Sequence, residues 1–243
     1  MSEDEAVICT LDSVRLMLGE GALRFETKNR PAIERYWQSA LAANPRLWNG
    51  PFFMFEDVRI ENGILSGTGR ATDFATFLYW RDNGRPAGVT HVTGTSLPVM
   101  ADGSLFAIRM AGHTANAGLV YFPAGSFDAA DVAGGQFDVT GNIARELNEE
   151  TGLEFREGDA EAIHTAVCVE GAIHVTRRNR LPFDFDEALR RLRHHQAQTG
   201  DDEIDTAVAI RPGAETPGGL KPYARALADW HFENGAFSCS RRS

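Results

Sequence analysis

One stretch, DVTGNIARELNEETGL at residues 138–153, restricts the possible folds more than any other. Asp138 is a good helix N-cap, and Gly152 can take the left-handed conformation that stops a helix, so a helix is expected over 138–151. At about 100° per residue, Ile143, Ala144 and Leu147 form an apolar stripe on one side, which can pack on a sheet. Glu146, Glu149 and Glu150 fall within an arc of about 100° beside that stripe. Like charges four residues apart repel, and glutamates near a helix C-terminus oppose the macrodipole. The placement costs local stability unless a cation offsets it. Carboxylate oxygens suit a hard ion such as Mg²⁺ or Mn²⁺. Arg145 lies one turn before Glu149 and can orient it. The competing reading is a solvated acidic helix face, which is what most charge clusters are.

The rest of the chain supplies strands and further helices. Residues 6–20 predict a strand and a short helix. PAIERYWQSALAANP, 31–45, predicts a helix with Pro31 in its first turn and Pro45 just past its end. LWNGPFFMFEDVRIENGILSGTGRATDF predicts a hairpin turning at Asn62-Gly63. FATFLYWRDNG predicts an aromatic helix ending at Asn83-Gly84. Two strands around Asp102-Gly103 follow, then GLVYFPAGS as another strand. AIHTAVCVEGAIHVTRRN predicts a strand pair turning near Gly171. DFDEALRRLRHHQAQTG predicts a helix capped by Asp184 and stopped by Gly200. DEIDTAVAIRP predicts one more strand, and KPYARALADWHFENG a final helix. This order suggests a mixed sheet with helices on both sides, an α/β class fold. RPAGVT, 85–90, is the candidate boundary, dividing a smaller α+β extension, 1–88, from a main domain, 89–243.

Hydrophobic residues make up 43% of the 243, enough for a packed core. The net charge of −10 repels extended DNA or RNA. A small anionic ligand remains possible where a metal neutralises it locally. Cys9, Cys168 and Cys239 form no C-x-x-C pair and are odd in number, against a disulfide framework or zinc ribbon. The acidic start MSEDEAVICT lacks a basic leader, and no apolar run reaches 18 residues, so a cytoplasmic protein with no membrane association is expected. Oligomeric state is not legible.

R-E-L-x-E-E-x-G-L at 145–153 fixes seven positions, and a chance match in this chain is on the order of 10⁻⁵. The stretch resembles the second half of the Nudix box, G-x5-E-x7-R-E-U-x-E-E-x-G-U, in which U is a bulky apolar residue. The strand GLVYFPAG leads into it as in that family. The first half departs from the pattern. With Gly125 as the leading glycine, the loop SFDAADVAGGQFD carries about six extra residues, and Asp131 stands at the spacing of the absent glutamate, with Asp128 nearby. The resemblance implies a Nudix-type α/β/α sandwich and hydrolysis of a nucleoside diphosphate linked to a second moiety. It implies metal ligation by Glu146, Glu149 and Glu150, one of them being the base for the attacking water. NPRLWNGPFFMFEDVRIENGILSGTGRATDF and SLFAIRMAGHTANAGLVYFPAGS look similar to the N-terminally extended UDP-sugar-hydrolysing Nudix proteins, making UDP-glucose or a close relative the expected substrate. The alternatives are an ADP-ribose or NADH pyrophosphatase and a Nudix-fold nucleotide sensor that binds without hydrolysing.

Other residues are nominated with their competing readings. Arg109, at a strand end, could grip phosphate oxygens or be a plain surface arginine. Among Asp201, Asp202, Glu203 and Asp205, Glu203 is the best candidate for an extra ligand or base; a solvated loop is the alternative. Trp48 and Asn49 could line the substrate pocket, while Phe52 and Phe53 read as core. His194 and His195 read as solvated; His164 and His174 lie in strands without ligand spacing. Gly134-Gly135 could form a phosphate-cradling turn.

Overall fold

A computed structural model describes residues 6–114 and 116–239; the acidic start at 1–5 lies outside them. The first part of the chain forms β1 (Val7–Leu11), β2 (Ser13–Leu18), α1 (Arg24–Ala43), β3 (Pro51–Glu61), β4 (Ile64–Asp73) and α2 (Phe74–Asp82). Next come β5 (His91–Val99), β6 (Leu105–Met110), β7 (Val120–Tyr121), β8 (Ala124–Ser126), β9 (Val132–Ala133), β10 (Gln136–Phe137) and α3 (Val139–Thr151). The remainder forms β11 (His164–Val169), β12 (Ala172–Arg180), α4 (Phe185–Thr199), β13 (Ile204–Ile210) and α5 (Pro222–Asn234). Among these residues no helix is long and apolar enough to cross a membrane.

The fold is mixed α/β, as the sequence predicts. The main sheet runs β1-β11-β12-β5-β6-β13, with β7 on β6 and β8 on β5. Its centre is the parallel β5–β12 pair, in register from His91↔Ala172 to Val99↔Arg180. Successive strand residues face opposite sides. On one side, Tyr223 of α5 stacks on His174, which is the register partner of Thr93. On the other, a Cβ at Gly94 would run into Asn142 and Ile143 of α3. Helices therefore cover both faces, and β5 is buried along almost its whole length.

A second sheet, β3-β4-β2-β10-β9, lies on the α3 side. Its Phe53, Phe55, Leu65 and Phe137 pack with Val92, Ile143, Ile173 and Val175 in one core. Both sheets draw strands from either side of the expected boundary at 88–89. β1 pairs with β11 from Val7↔Cys168 onward, and β10 pairs with β2 at Gln136↔Met17.

Local signals that cap or turn the chain appear where expected. Asp138 and Asp184 accept from Gly141 N and Glu187 N, while Gly152 and Gly200 end α3 and α4 in the left-handed conformation; Asp73, not singled out in the sequence, caps α2 by accepting from Thr76 N. Asn62 and Gly63, both at positive φ, close the β3–β4 hairpin.

Four expectations are corrected. Residues 6–20 form two strands and no helix. α1 begins at Arg24, so Pro31 is internal; its start has no side-chain cap from Leu23, and Glu56 Oε1 of β3 instead accepts from Arg24 N at 2.9 Å. GLVYFPAGS is broken at Phe122-Pro123 into β7 and β8, on different partner strands. The lengthened loop is no bare loop, because β9 and β10 form a hairpin across Gly134-Gly135, and Gly135 O accepts from Leu18 N at 2.8 Å. That glycine pair turns a hairpin.

Candidate active site

β5 and β6 meet at the single pair Val99↔Leu105 and then diverge. β7 and β8 occupy the fork. At its open end lies a cavity of about 650 Å³. Thr93, Tyr121, Gly125 and Glu150 form part of its wall, and Trp48, Phe52, Phe74, Phe77 and Trp80 contribute an aromatic side from the first 88 residues.

The three glutamates of α3 are divided around this cavity. Glu150 lines it, and its Oε2 accepts from Ala124 N at 3.1 Å. Glu146 lies beneath Gly125, where any Cβ would strike its carboxylate; glycine at 125 is required by this close approach. Glu149 is exposed and turned to Arg145, at 2.7 Å, as the spacing of the two predicts. Arg145 also contacts Glu146 Oε1 at 2.7 Å and donates to Asp131 Oδ2 at 2.8 Å. Asp131 is buried. It caps its own turn by accepting from Asp128 N, and it accepts from Asn142 Nδ2. Asp131 thus contacts the arginine that pairs with Glu146 and Glu149.

Glu203 lies in the same cavity wall, next to Asp202, which pairs with His113 at 3.3 Å. Trp48 lines the cavity and is 76% exposed. Phe52 and Phe53 are core, as expected, with Phe52 also reaching the cavity. Asn49 does not line it; its side chain accepts from Ala75 N at 2.7 Å and donates to Asp73, tying the loop to the start of α2. Arg109 is also outside the lining, donating to Gly218 O at 3.4 Å. His195 is half-buried rather than solvated, its ring on Glu149 O at 2.7 Å. Cavity residues not singled out in the sequence include His91, Tyr121, Lys221 and Tyr223, and His174, set aside there for want of ligand spacing, also lines it. His174 Nδ1 meets Thr93 Oγ1 at 2.8 Å, and His91 Nε2 meets Ser126 Oγ at 2.9 Å. Burial holds both imidazoles neutral, pushing His91 down to about 3 and His174 well below the usual range.

Among the described residues no three His, Cys, Asp or Glu side chains form a ready metal cage. Mg²⁺ does not need one, since it is commonly held by one or two carboxylates with water and substrate phosphate completing the octahedron. The donor set here fits that mode. Glu150 has no basic partner among the described residues, and burial, then Glu146 and Glu203, push its pKa well above the carboxylate range. Burial likewise raises Glu146 to about 7, against the pull of Arg145. Carboxyls under such mutual pressure are relieved by a divalent cation.

A pH dependence follows for the metal-free protein. Between about pH 4.5 and 7 the folded state holds the Glu146 proton and the unfolded chain releases it. Stability from this group is full below that window and falls as pH rises through it, by about 3 kcal/mol. Thermal melts in EDTA should show the Tm of Glu146→Gln rising relative to that of wild type between pH 5 and pH 7.5, a comparison in which the opposite effect of the buried histidines and the parallel effect of Glu150 cancel. Identical pH profiles for the two proteins would refute the assignment.

No family model matches the chain, and no curated protein does. Solved structures that are similar to it include a MutT protein from Methanosarcina mazei Go1, 18% identical, covering 60% of this chain and 94% of that one, at a TM-score of 0.41. The NUDIX domain of Shewanella oneidensis NrtR, complexed with ADP ribose, is 13% identical over 60% and 88% of the two chains, at 0.42. A NUDIX hydrolase from Nitrosomonas europaea is 18% identical over 59% and 90%, at 0.36.

Proposed function

We propose that the chain is a metal-dependent Nudix-type pyrophosphohydrolase acting on a nucleoside diphosphate linked to a second moiety, with a UDP-sugar as substrate and UMP and sugar 1-phosphate as products. The observation that supports this best is Glu150, pressed by Glu146 and Glu203 and without a basic partner among the described residues, in the wall of an aromatic cavity. Its sequence counterpart is the intact R-E-L-x-E-E-x-G-L.

Glu146, Glu150 and Glu203 are the residues that would hold Mg²⁺ or Mn²⁺. Bound there, the ion screens diphosphate charge and acidifies water. Arg145 keeps Glu146 and Glu149 oriented, and Asp131 keeps Arg145 in place. A water oxygen adds to one phosphorus, the bridging P–O bond breaks, and the departing phosphate keeps the bridging oxygen. The proton lost by the water passes to a cavity carboxylate, Glu150 or Glu203. Phe52, Phe77 and Trp48 offer faces on which a base can stack. Residues 1–88 would then act as an extension that completes the substrate pocket. A neutral sugar suits the acidic chain, since only the diphosphate needs a counter-charge.

Phosphate release with added phosphatase, across a panel of nucleotide sugars and dinucleotides with and without Mg²⁺, tests the reading. Hydrolysis in ¹⁸O-water should label a phosphate product by mass spectrometry. Release of UDP and free sugar would overturn the mechanism. A much higher kcat/KM for ADP-ribose would keep the mechanism and replace the substrate. No hydrolysis of any diphosphate, with tight nucleotide binding, would make the chain a sensor.

Because Trp48 is so exposed, Trp48→Ala should leave Tm within about 2 °C, a surface-type effect. KM for the best substrate should rise severalfold, as one stacked base is worth about 1–3 kcal/mol. An unchanged KM would remove Trp48 from the pocket.

A further inference from the structure

The cavity carries a half-buried cation that makes no salt bridge among the described residues. Lys221 sits at the N-cap position of α5, fixed from both sides: its N–H donates to Val120 O at 3.0 Å, and Pro222 begins the helix after it. Its side chain is half-buried and lines the cavity, with Nζ 5.4 Å from the centre of the Tyr121 ring. Glu150 and Glu203 act on that same tyrosine, raising its pKa together with the larger effect of burial. The acidic wall and the lysine thus share Tyr121 as a neighbour. Two arginines of this cavity are already engaged, Arg85 with Glu170 at 3.2 Å and Arg81 with Asp82 at 2.7 Å, while Arg46, which also lines it, is exposed. Lys221 has no such pair among the described residues. Burial, followed by Arg81, lowers its pKa against the pull of Glu170, with Arg85 adding to the lowering. The start of a helix is also the wrong end for a cation. All of these penalties are relieved by an anion in the cavity.

We infer that Lys221 is the phosphate-positioning residue of this cavity, its ammonium receiving a phosphoryl oxygen of the bound diphosphate while Glu150 and Glu203 face the other side of that group. The inference rests on the hydrolase reading for the identity of the ligand, and it gives to Lys221 the role for which Arg109 was the sequence candidate. An ammonium is a point charge on a flexible stem, suited to an oxygen that shifts as phosphorus is attacked.

The test uses Lys221→Met and Lys221→Arg in the full chain, with folding checked by circular dichroism. UDP is titrated by calorimetry in EDTA, so that binding is read without metal or turnover. Lys221→Met should weaken UDP at least about tenfold, and Lys221→Arg, which keeps the charge, should stay within about threefold of wild type. With the best substrate and Mg²⁺, Lys221→Met should raise KM by a similar factor while kcat changes less than about threefold. Equal UDP affinity in Lys221→Met and wild type would overturn the inference, as would no UDP binding by wild type or an arginine variant as weak as the methionine one. Lys221-dependent UDP binding without hydrolysis of any diphosphate would sustain the inference and refute the hydrolase. Hydrolysis with an unaltered KM in Lys221→Met would do the reverse.

Discussion

Glu150→Gln should lower kcat by at least about 10²-fold, or roughly 2.7 kcal/mol of barrier, without loss of fold. The substitution keeps an oxygen for Ala124 N, the hydrogen bond that positions the side chain. It removes a charge that has no basic partner among the described residues and that Glu146 and Glu203 disfavour. The metal-free variant should therefore melt at or above the wild-type temperature while its turnover collapses. This divergence of stability and activity marks a group whose charge serves a ligand rather than the fold. EDTA should abolish wild-type activity, and Mg²⁺ or Mn²⁺ should restore it. Glu149→Gln should act more weakly, because Glu149 is exposed and its contact is with Arg145. Steady-state kinetics on both variants, with melts in EDTA, make the comparison. Near-normal turnover in Glu150→Gln would refute the site.

What could be read from the sequence was local chemistry. The caps Asp138 and Asp184 reach backbone N–H groups three residues away, and Gly152 and Gly200 act on their own turns, so α3 and α4 were legible to the residue. The start of α1 was not, because its cap is Glu56 from a distant strand. The loop after Gly125 looked like an insertion of uncertain purpose; its hairpin exists because β2 offers an edge for Gln136 to pair with, a partner no local pattern reveals. The glutamates were legible as a motif, but their division was not. Which one enters the cavity depends on where β5 and β6 part, and one register pair decides that. The same fork leaves Arg109 outside and brings in Lys221 from the start of α5. His91 and His174 are far apart in the chain and carry no spacing signal. They come to one wall because β5 and β12 run parallel in register.

Glu161→Ala should destabilise the protein by about 3–5 kcal/mol, lowering Tm by about 10 °C or more, while kcat of the folded fraction stays unchanged. In the sequence, VTRRN read as a strand end, where arginines ordinarily reach solvent. The structure buries Arg178 instead. Its guanidinium donates to both carboxylate oxygens of Glu161, at 2.5 and 2.9 Å, with both side chains under a tenth exposed. It also donates to Gly235 O at 2.8 Å and lies 4.6 Å from the ring centres of Trp230 and Phe237. One side chain thus fastens β12 to the end of α5, the helix whose start carries Lys221 and Tyr223. Removing Glu161 leaves the guanidinium buried without its counter-ion, and that uncompensated charge is the main cost. If so, exchanging the whole pair for apolar groups should cost less than breaking it. Glu161→Leu with Arg178→Met should recover at least half of the Tm lost in Glu161→Ala. Calorimetric melts of the three proteins measure this. A loss below about 1 kcal/mol in the single variant would show that water reaches Arg178, and a double variant no more stable than the single would assign the loss to the aromatic and carbonyl contacts of the arginine.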